Sequence, residues 1–219
     1  MSPLTDEWFD FLPDPIREPF RSIAFEVMWL HAEWDNYCQL FEDKAQQRAI
    51  LDGTAPACFR IIHHCIKTDI YLSLARLTDP PASAGRANLS LRRLMILLTE
   101  AGYSTIADRC RQDLDALLIV CRPIRARRNR RLAHADMATL LSPHNQPLPV
   151  IPPPIVNQAL SHIRVILNTV EGCFKDSETA YQAVTLRGEA KALLLFLRKG
   201  LEASERDRNE ALARLSAKS

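Results

Sequence analysis

Residues 104–134 read STIADRCRQDLDALLIVCRPIRARRNRRLAH, and this stretch decides the fold. Its first half carries apolar side chains at helical spacing, namely Ile106, Cys110, Leu114, Leu117, Leu118 and Cys121. Apolar residues three and four positions apart share one face of an α-helix, so the pattern predicts an amphipathic helix from about Ser104. Pro123 lacks a backbone N–H, which predicts a kink or a new helix start at that point.

The rest of the chain repeats this helical periodicity on both sides of the stretch. Further helices are predicted over residues 18–44, 57–77, 89–101, 155–174 and 188–201. Asn88 is the expected N-cap of the third of these helices, and Asp52-Gly53-Thr54 is the expected break before the second. Only six glycines occur in 219 residues, and no segment alternates convincingly as a strand. We therefore expect an all-α fold, an antiparallel bundle of five or six helices.

The domain organisation follows from the prolines. Six of them lie between Ser142 and Pro154, which predicts an extended linker because proline is excluded from helix interiors. No internal repeat is evident. We expect a single helical domain over residues 1–219, with a Pro-rich loop at 142–154 and a polar helical tail at 202–219.

Composition limits the remaining classes of protein. No run of 18 apolar residues without a charge is present, and the start MSPLTDEWFDFLPDP is acidic and aromatic, unlike a signal peptide. A cytoplasmic protein without a membrane partner is expected. The six cysteines form no C-x-x-C pair and no ligand set with histidine, so we expect reduced core thiols, no metal site and no cofactor.

Six arginines fall within ten residues of the opening stretch: Arg122, Arg125, Arg127, Arg128, Arg130 and Arg131. The formal net charge of the chain is +2, so this segment of +6 leaves −4 for everything else. Like charges on adjacent helical turns repel one another, and folding alone gives no reason to collect them. The forked guanidinium group, in contrast, matches phosphate. The segment indicates a phosphate-binding surface, and a solvated surface patch is the alternative interpretation.

His134 follows directly, in the string RNRRLAHAD at residues 128–136. Arg128, then a polar residue, four further positions and a histidine resemble the signature of the HEPN superfamily of all-helical ribonucleases. The string RNRRLAHAD resembles in particular the abortive-infection, AbiU-like branch of that superfamily. The helix end ARLTDPP at 75–81, the string NLSLRRL at 88–94 and the order of the helices fit the same branch.

The resemblance implies a HEPN-like bundle that forms a homodimer and cleaves RNA without a metal ion. It implies that His134 acts as general acid or base, that Arg128 holds the scissile phosphate, and that Asn129 orients the phosphate or His134. RNA is the expected substrate, because its 2′-hydroxyl supplies an internal nucleophile. Arg130 and Arg131 are read as charges that track the RNA backbone, and Arg122, Arg125 and Arg127 are assigned to the same phosphate-binding surface.

The spacing of the two motif residues leaves three arrangements open. On an ideal α-helix six residues turn through about 600°, so Arg128 and His134 lie about 120° apart around the axis. The helix after Pro123 can be irregular, or the site can combine residues of two protomers. Alternatively Arg127 is the motif arginine, although Asn129 directly after Arg128 favours Arg128.

Three classes of function remain from the sequence, and the third of them is a purely structural helical interaction protein. The first is an endoribonuclease that serves as a toxin or phage-defence effector, with an antitoxin protein as its partner. The second is a non-catalytic HEPN-like module that binds RNA, nucleotide or a partner protein. Thr78-Asp79-Pro80 is expected to have only a structural role, ending a helix with Asp79 paired to Arg76.

Overall fold

The computed structural model describes residues 6–42, 45–132, 148–183 and 188–217. Over these residues the chain forms eight α-helices: α1 (Asp14–Phe41), α2 (Ala45–Thr54), α3 (Pro56–Leu77), α4 (Leu91–Glu100), α5 (Ser104–Val120), α6 (Arg122–Arg127), α7 (Pro153–Glu171) and α8 (Ala190–Ser216). A short 3₁₀ turn covers Asp6–Phe9, and a π-helical turn covers Arg128–Leu132. The strands β1 (Ala82–Ser83) and β2 (Arg86–Ala87) form one small antiparallel hairpin. The expectation of an all-α fold is confirmed.

The additional helix α2 was not predicted. Asp52-Gly53-Thr54, expected to be a break, is the last turn of α2, and the hydroxyl of Thr54 donates to the carbonyl of Ile50 at 2.9 Å. A Cβ added at Gly53 would lie 3.4 Å from a methyl group of Leu201, which is an ordinary van der Waals contact, so the packing would also accept alanine. Gly53 therefore lies within the last turn of α2 and does not break the helix.

The predicted cap of α4 was also wrong. Ser90 is the N-cap, and its hydroxyl accepts from the backbone N–H of Arg93 at 3.3 Å. Asn88 lies two residues earlier, where its amide donates to the carbonyl of Pro80 at 2.8 Å and holds the base of the hairpin. Ala84 and Gly85 both have positive φ, as the two-residue turn of such a hairpin requires.

The first of two compact units comprises Met1–His31 and Thr68–Val184. Within it α5 packs against both α4 and α7. The buried face of α7 consists of Val156, Ala159, Leu160, Ile163, Ile166, Leu167, Val170 and Glu171. Pro153 and Pro154, expected in the loop, instead form the first turn of α7, where proline removes no hydrogen bond.

Glu171 is the polar exception on the buried face of α7. It is fully buried, and its two carboxylate oxygens accept from the Thr179 hydroxyl at 2.6 Å and the Tyr181 hydroxyl at 2.7 Å. Both acceptor atoms therefore have partners, which a buried carboxylate requires.

The second unit comprises Ala32–Lys67 and Thr185–Ser219. Its core is small and consists of Leu40, Leu51, Phe59, Ala190 and Leu194, with α2 packed on α8. The first free N–H groups of α8 are bonded by side chains, because Ala190 donates to Asn36 and Lys191 donates to Gln39. The expectation of one domain over 1–219 is not tested by this division and stays a prediction.

The cysteines differ in their surroundings. Cys110 and Cys121 are buried as expected, Cys38 and Cys173 are partly buried, and all six are free thiols. Cys58 and Cys65, expected in the core, are exposed on α3. In the part of the chain described, no helix is long and apolar enough to cross a membrane.

Candidate functional site

The arginine segment lies on α6 and the π-helical turn that follows it. Helix α5 ends at Val120, and α6 begins at Arg122 with Pro123 in its first turn, which is the break that the proline predicts. Cys121 and Ile124 are fully buried and fix α6 on the core of the first unit. Arg122 is exposed, whereas Arg125 is partly buried.

Arg128 lies on the side of the helix that faces the core. It follows Cys121 by seven residues and Ile124 by four, so it continues the buried face of the helix. Its side chain is 20% exposed and forms a forked ion pair with Asp79, whose side chain is 18% exposed. Nη1 of Arg128 donates to Oδ2 of Asp79 at 3.0 Å, and Nη2 donates to Oδ1 at 2.6 Å.

The backbone around Asp79 is held on both sides. Its N–H donates to the carbonyl of Arg76 at 3.1 Å, and the buried hydroxyl of Thr78 donates to the carbonyl of Leu74 at 2.9 Å. On the other side Asn88 bonds the carbonyls of Pro80 and Pro81. The carboxylate of Asp79 is therefore presented from a rigid junction between α3 and the hairpin.

The predicted pairing of Asp79 with Arg76 is wrong. Arg76 donates to Glu26 at 2.7 Å and to the hydroxyl of Ser73 at 2.8 Å. The prediction used only the short distance along the chain, whereas the actual partner of Asp79 lies 49 residues away.

The other arginines of the segment are placed differently. Nη1 of Arg127 donates to the carbonyl of Pro149 at 3.2 Å, which ties the segment to the chain leading into α7. Within the residues described, the side chains of Arg122 and Arg125 make no hydrogen bond or ion pair, and their charges remain available. Arg130 is partly buried and engaged, and the backbone of Arg131 belongs to the π-helical turn.

The remaining predicted site residues are Asn129 and His134. Asn129 is exposed on the π-helical turn. His134 lies outside the described residues. A π-helix bonds each residue to the fifth one along, so it turns less per residue than an α-helix. The ideal separation of about 120° between positions 128 and 134 therefore does not apply here.

Cys121 is the nucleophilic side chain nearest in sequence to the arginines. Burial raises the pKa of its thiol to about 12, against a smaller opposing effect of Arg125. The thiol stays protonated near neutrality and serves packing. Among the residues described, no three His, Cys, Asp or Glu side chains are grouped to hold a metal ion.

Asp79 was not predicted as a member of this site, although the sequence contains a signal for it. The buried stripe of α5 and α6 consists of Ile106, Cys110, Leu117, Cys121 and Ile124. Arg128 is the next position of that stripe, so its charge continues the buried face of the helix and needs an acid there. The string ARLTDPP contains that acid.

The comparisons with known proteins agree with the all-α fold. Residues 14–193 match the protein family HEPN_AbiU2, described as AbiU2, and this match covers most of the chain. No curated protein and no solved structure matches significantly. The matched range includes the junction at Asp79 and the arginine segment with its motif. The chain thus belongs to the AbiU2 family of HEPN proteins.

Proposed function

We propose that this protein is a metal-independent endoribonuclease of HEPN type that acts as a toxin or phage-defence effector. The observation that carries the proposal is the placement of Arg128. It is a half-buried arginine of a six-arginine segment, it forms a forked ion pair with an acid, and it precedes His134 by six residues. Phosphoryl transfer needs a cation that stabilises the charge developing on the phosphate and a group that gives or takes a proton. Arg128 and His134 are side chains of these two kinds.

The proposed reaction uses the 2′-hydroxyl of the RNA as the nucleophile. Its oxygen attacks the adjacent phosphorus, and the bond from phosphorus to the 5′-oxygen of the next nucleotide breaks. His134 takes the proton of the 2′-hydroxyl or gives a proton to the leaving 5′-oxygen. Arg128 stabilises the charge that develops on the phosphoryl oxygens, and Asn129 orients the phosphate or the imidazole. The products are a 2′,3′-cyclic phosphate and a 5′-hydroxyl.

Substrate attraction is assigned to the other arginines. Arg122 and Arg125 carry charges that no described acid neutralises, and Arg130 and Arg131 continue the segment beyond them. Cations that track the RNA backbone give binding that weakens steeply with salt. This surface explains why the segment carries more arginines than one phosphate needs.

The test of the proposal is cleavage of RNA in the presence of EDTA. We expect wild type to cut RNA, and His134→Ala to lower the rate by about 10²–10⁴-fold, the usual range for a lost acid–base group. Arg128→Ala should lower it by about 10²–10³-fold, as the loss of one transition-state donor does. The matched controls are His64→Ala and Arg206→Ala, both exposed and outside the segment, and both should cleave at the wild-type rate.

A non-catalytic, RNA-binding module is the second candidate, and the ion pair itself favours it. Asp79 already neutralises Arg128, which lowers the net attraction of that arginine for phosphate. This candidate predicts salt-dependent RNA binding without cleavage, and a shallower log–log salt slope after Arg122→Ala and Arg125→Ala. A wild-type protein that binds RNA but cuts none would replace the first proposal by this one.

A homodimer is part of the proposal, with an antitoxin protein as a further partner. If each site combines Arg128 of one protomer with His134 of the other, mixing the two inactive variants restores about a quarter of the activity, since half of the molecules are mixed dimers with one intact site. If each protomer carries a whole site, mixing restores none. The measurement is RNA cleavage after joint refolding of Arg128→Ala and His134→Ala.

A further inference from the structure

The guanidinium group of Arg128 offers two edges for a bidentate contact. One edge is formed by Nη1 and Nη2, and the other is formed by Nε and one Nη nitrogen, because the five N–H bonds lie in a fixed plane. Asp79 occupies the first edge, with both contacts within hydrogen-bond distance. The orientation of the plane is therefore fixed by Asp79, and the second edge is left over.

Nε of Arg128 is a buried donor with no hydrogen-bond partner in the described part of the chain. Buried donors nearly always have an acceptor, since an unsatisfied one loses its hydration without compensation. A buried Nε has no surface that a phosphate can touch, so a phosphate contacts Arg128 through the part of the side chain that stays exposed, 20% of it. Guanidinium N–H groups match phosphate oxygens in charge.

Asp79 can hold the side chain of Arg128 in one position, because its own backbone is anchored. Its own backbone is bonded to α3 through the carbonyl of Arg76, and the hairpin that follows is closed by Asn88. Arg128 is anchored on its side by the fully buried Ile124 one turn earlier. A pair held at both ends in this way restricts the arginine to one rotamer, and such preorganisation is what transition-state stabilisation needs.

We infer that Asp79 is a positioning residue of the ribonuclease site, which holds Nη1 and Nη2 of Arg128 and so fixes the guanidinium group for its contact with the scissile phosphate. The inference rests on the proposed function and adds a residue to it. The pair as a whole is neutral, so its contribution is geometric, and the attraction of RNA comes from the other arginines of the segment. Asp79 acts through Arg128 and does not touch the substrate.

Asp79→Asn is the most informative variant, because it keeps the shape of the side chain and removes its charge. We expect kcat to fall about 10- to 100-fold, as small misplacements of a catalytic group do. The affinity for RNA should stay unchanged or increase, since a negative charge next to the phosphate site is lost. The matched control is Asp108→Asn, which removes an exposed acid paired with Arg111 on α5 and should leave kcat unchanged.

The probe for kcat is a labelled RNA oligonucleotide that contains a site cut by wild type in total RNA. Binding is measured with the all-2′-deoxy version of the same oligonucleotide, which lacks the nucleophile. Asp79→Glu retains the carboxylate and should recover part of kcat. A lower kcat with equal or tighter binding supports the inference. An equal or higher kcat overturns it, and a higher value identifies Asp79 as a competitor of the phosphate.

A charge swap tests whether Arg128 does more than form the ion pair. Asp79→Arg combined with Arg128→Asp keeps two opposite charges at the same junction. If both residues serve folding alone, the swap restores both the melting temperature and cleavage, which overturns the inference. If Arg128 binds phosphate, the swap raises the melting temperature above that of either single variant without restoring cleavage, and the role of Asp79 is then decided by the kcat of Asp79→Asn.

Failure of this inference is distinguishable from failure of the proposed function. If wild type cleaves RNA, His134→Ala does not and Asp79→Asn cleaves like wild type, then the positioning role alone is wrong. If wild type cleaves no RNA, the proposed function and the positioning role are both overturned.

Discussion

Helices α7 and α8 are both long, yet their surroundings differ. Helix α7 has 19 residues and buries eight of them, including one side of every turn. Helix α8 has 27 residues and buries two, Ala190 and Leu194, both in its first five positions. From Ser204 to Ala217 every residue of α8 and its cap is exposed.

This difference in burial shows which interactions stabilise each helix. Short isolated helices are marginal in water, and most helical stability in proteins comes from packing an apolar face. Helix α7 has that packing along its whole length. The second half of α8 has only its backbone hydrogen bonds, good helix-forming residues and local ion pairs such as Arg214 with Glu210 at 3.4 Å. Stability should therefore depend strongly on α7 and weakly on the end of α8.

The largest expected effect comes from a leucine of α7. Leu167 is fully buried, so Leu167→Ala should lower the free energy of unfolding by about 2–5 kcal/mol through lost burial and a cavity. The same change in α8, Leu212→Ala, removes a side chain that is 57% exposed and should cost at most about 0.5 kcal/mol. Urea denaturation of both variants measures the two values, and equal costs would contradict the comparison.

Acid should weaken the region around α7 through His31, which is 3% exposed. Burial, with the charge of Arg164 on α7 as a second cause, lowers the pKa of His31 from 6.5 to about 4. The native protein keeps the imidazole neutral in this interval, whereas the unfolded chain takes up a proton near pH 6.5. The free energy of unfolding should therefore fall by about 3 kcal/mol as the pH falls from 7 towards 4.

The pH effect has its own control. His31→Gln carries no titrating group at this position, so its free energy of unfolding should vary less between pH 7 and 4 than that of wild type. His64→Gln changes an exposed histidine and should retain the wild-type pH dependence. If both variants keep the same dependence, His31 does not cause it.

The smallest effect is expected from shortening α8. Removal of residues 204–219 takes away a segment whose side chains are exposed from Ser204 to Ala217, and it should change the free energy of unfolding by less than about 0.5 kcal/mol. The urea m-value should also stay nearly constant, because little buried surface is lost. A large loss of stability on truncation would instead show that this segment packs against a partner in solution.

The helices were predictable wherever one face is apolar, and the start of α5 and the break at Pro123 lie where the pattern puts them. The break at Gly53 was predicted wrongly because a glycine inside the last turn of a helix and a glycine that ends a helix look alike in a single sequence. Ser90 and Asn88 are both good capping residues, and only the backbone conformation distinguishes them.

The candidate site was predictable only where its features are local in the sequence. The six arginines and the motif are local and visible in the sequence. The pairing of Arg128 with Asp79 joins residues 49 positions apart, and it depends on which side of α6 meets the end of α3. An ion pair between Asp79 and Arg76 was predicted because the two residues are three positions apart. In the structure Arg76 instead donates to Glu26.

The hydrogen bond from Arg127 to the carbonyl of Pro149 has a consequence for the chain that it spans. It closes a ring of residues that contains His134, and the entropy of closing such a ring depends only weakly on its length, about 0.6 kcal/mol for each doubling. His134 is six residues from Arg128, so even a fully extended chain keeps the Cα atoms of the two residues within about 22 Å of each other. Insertions in the ring beyond His134 thus add little to the entropy of closing it and do not change the number of residues between Arg128 and His134.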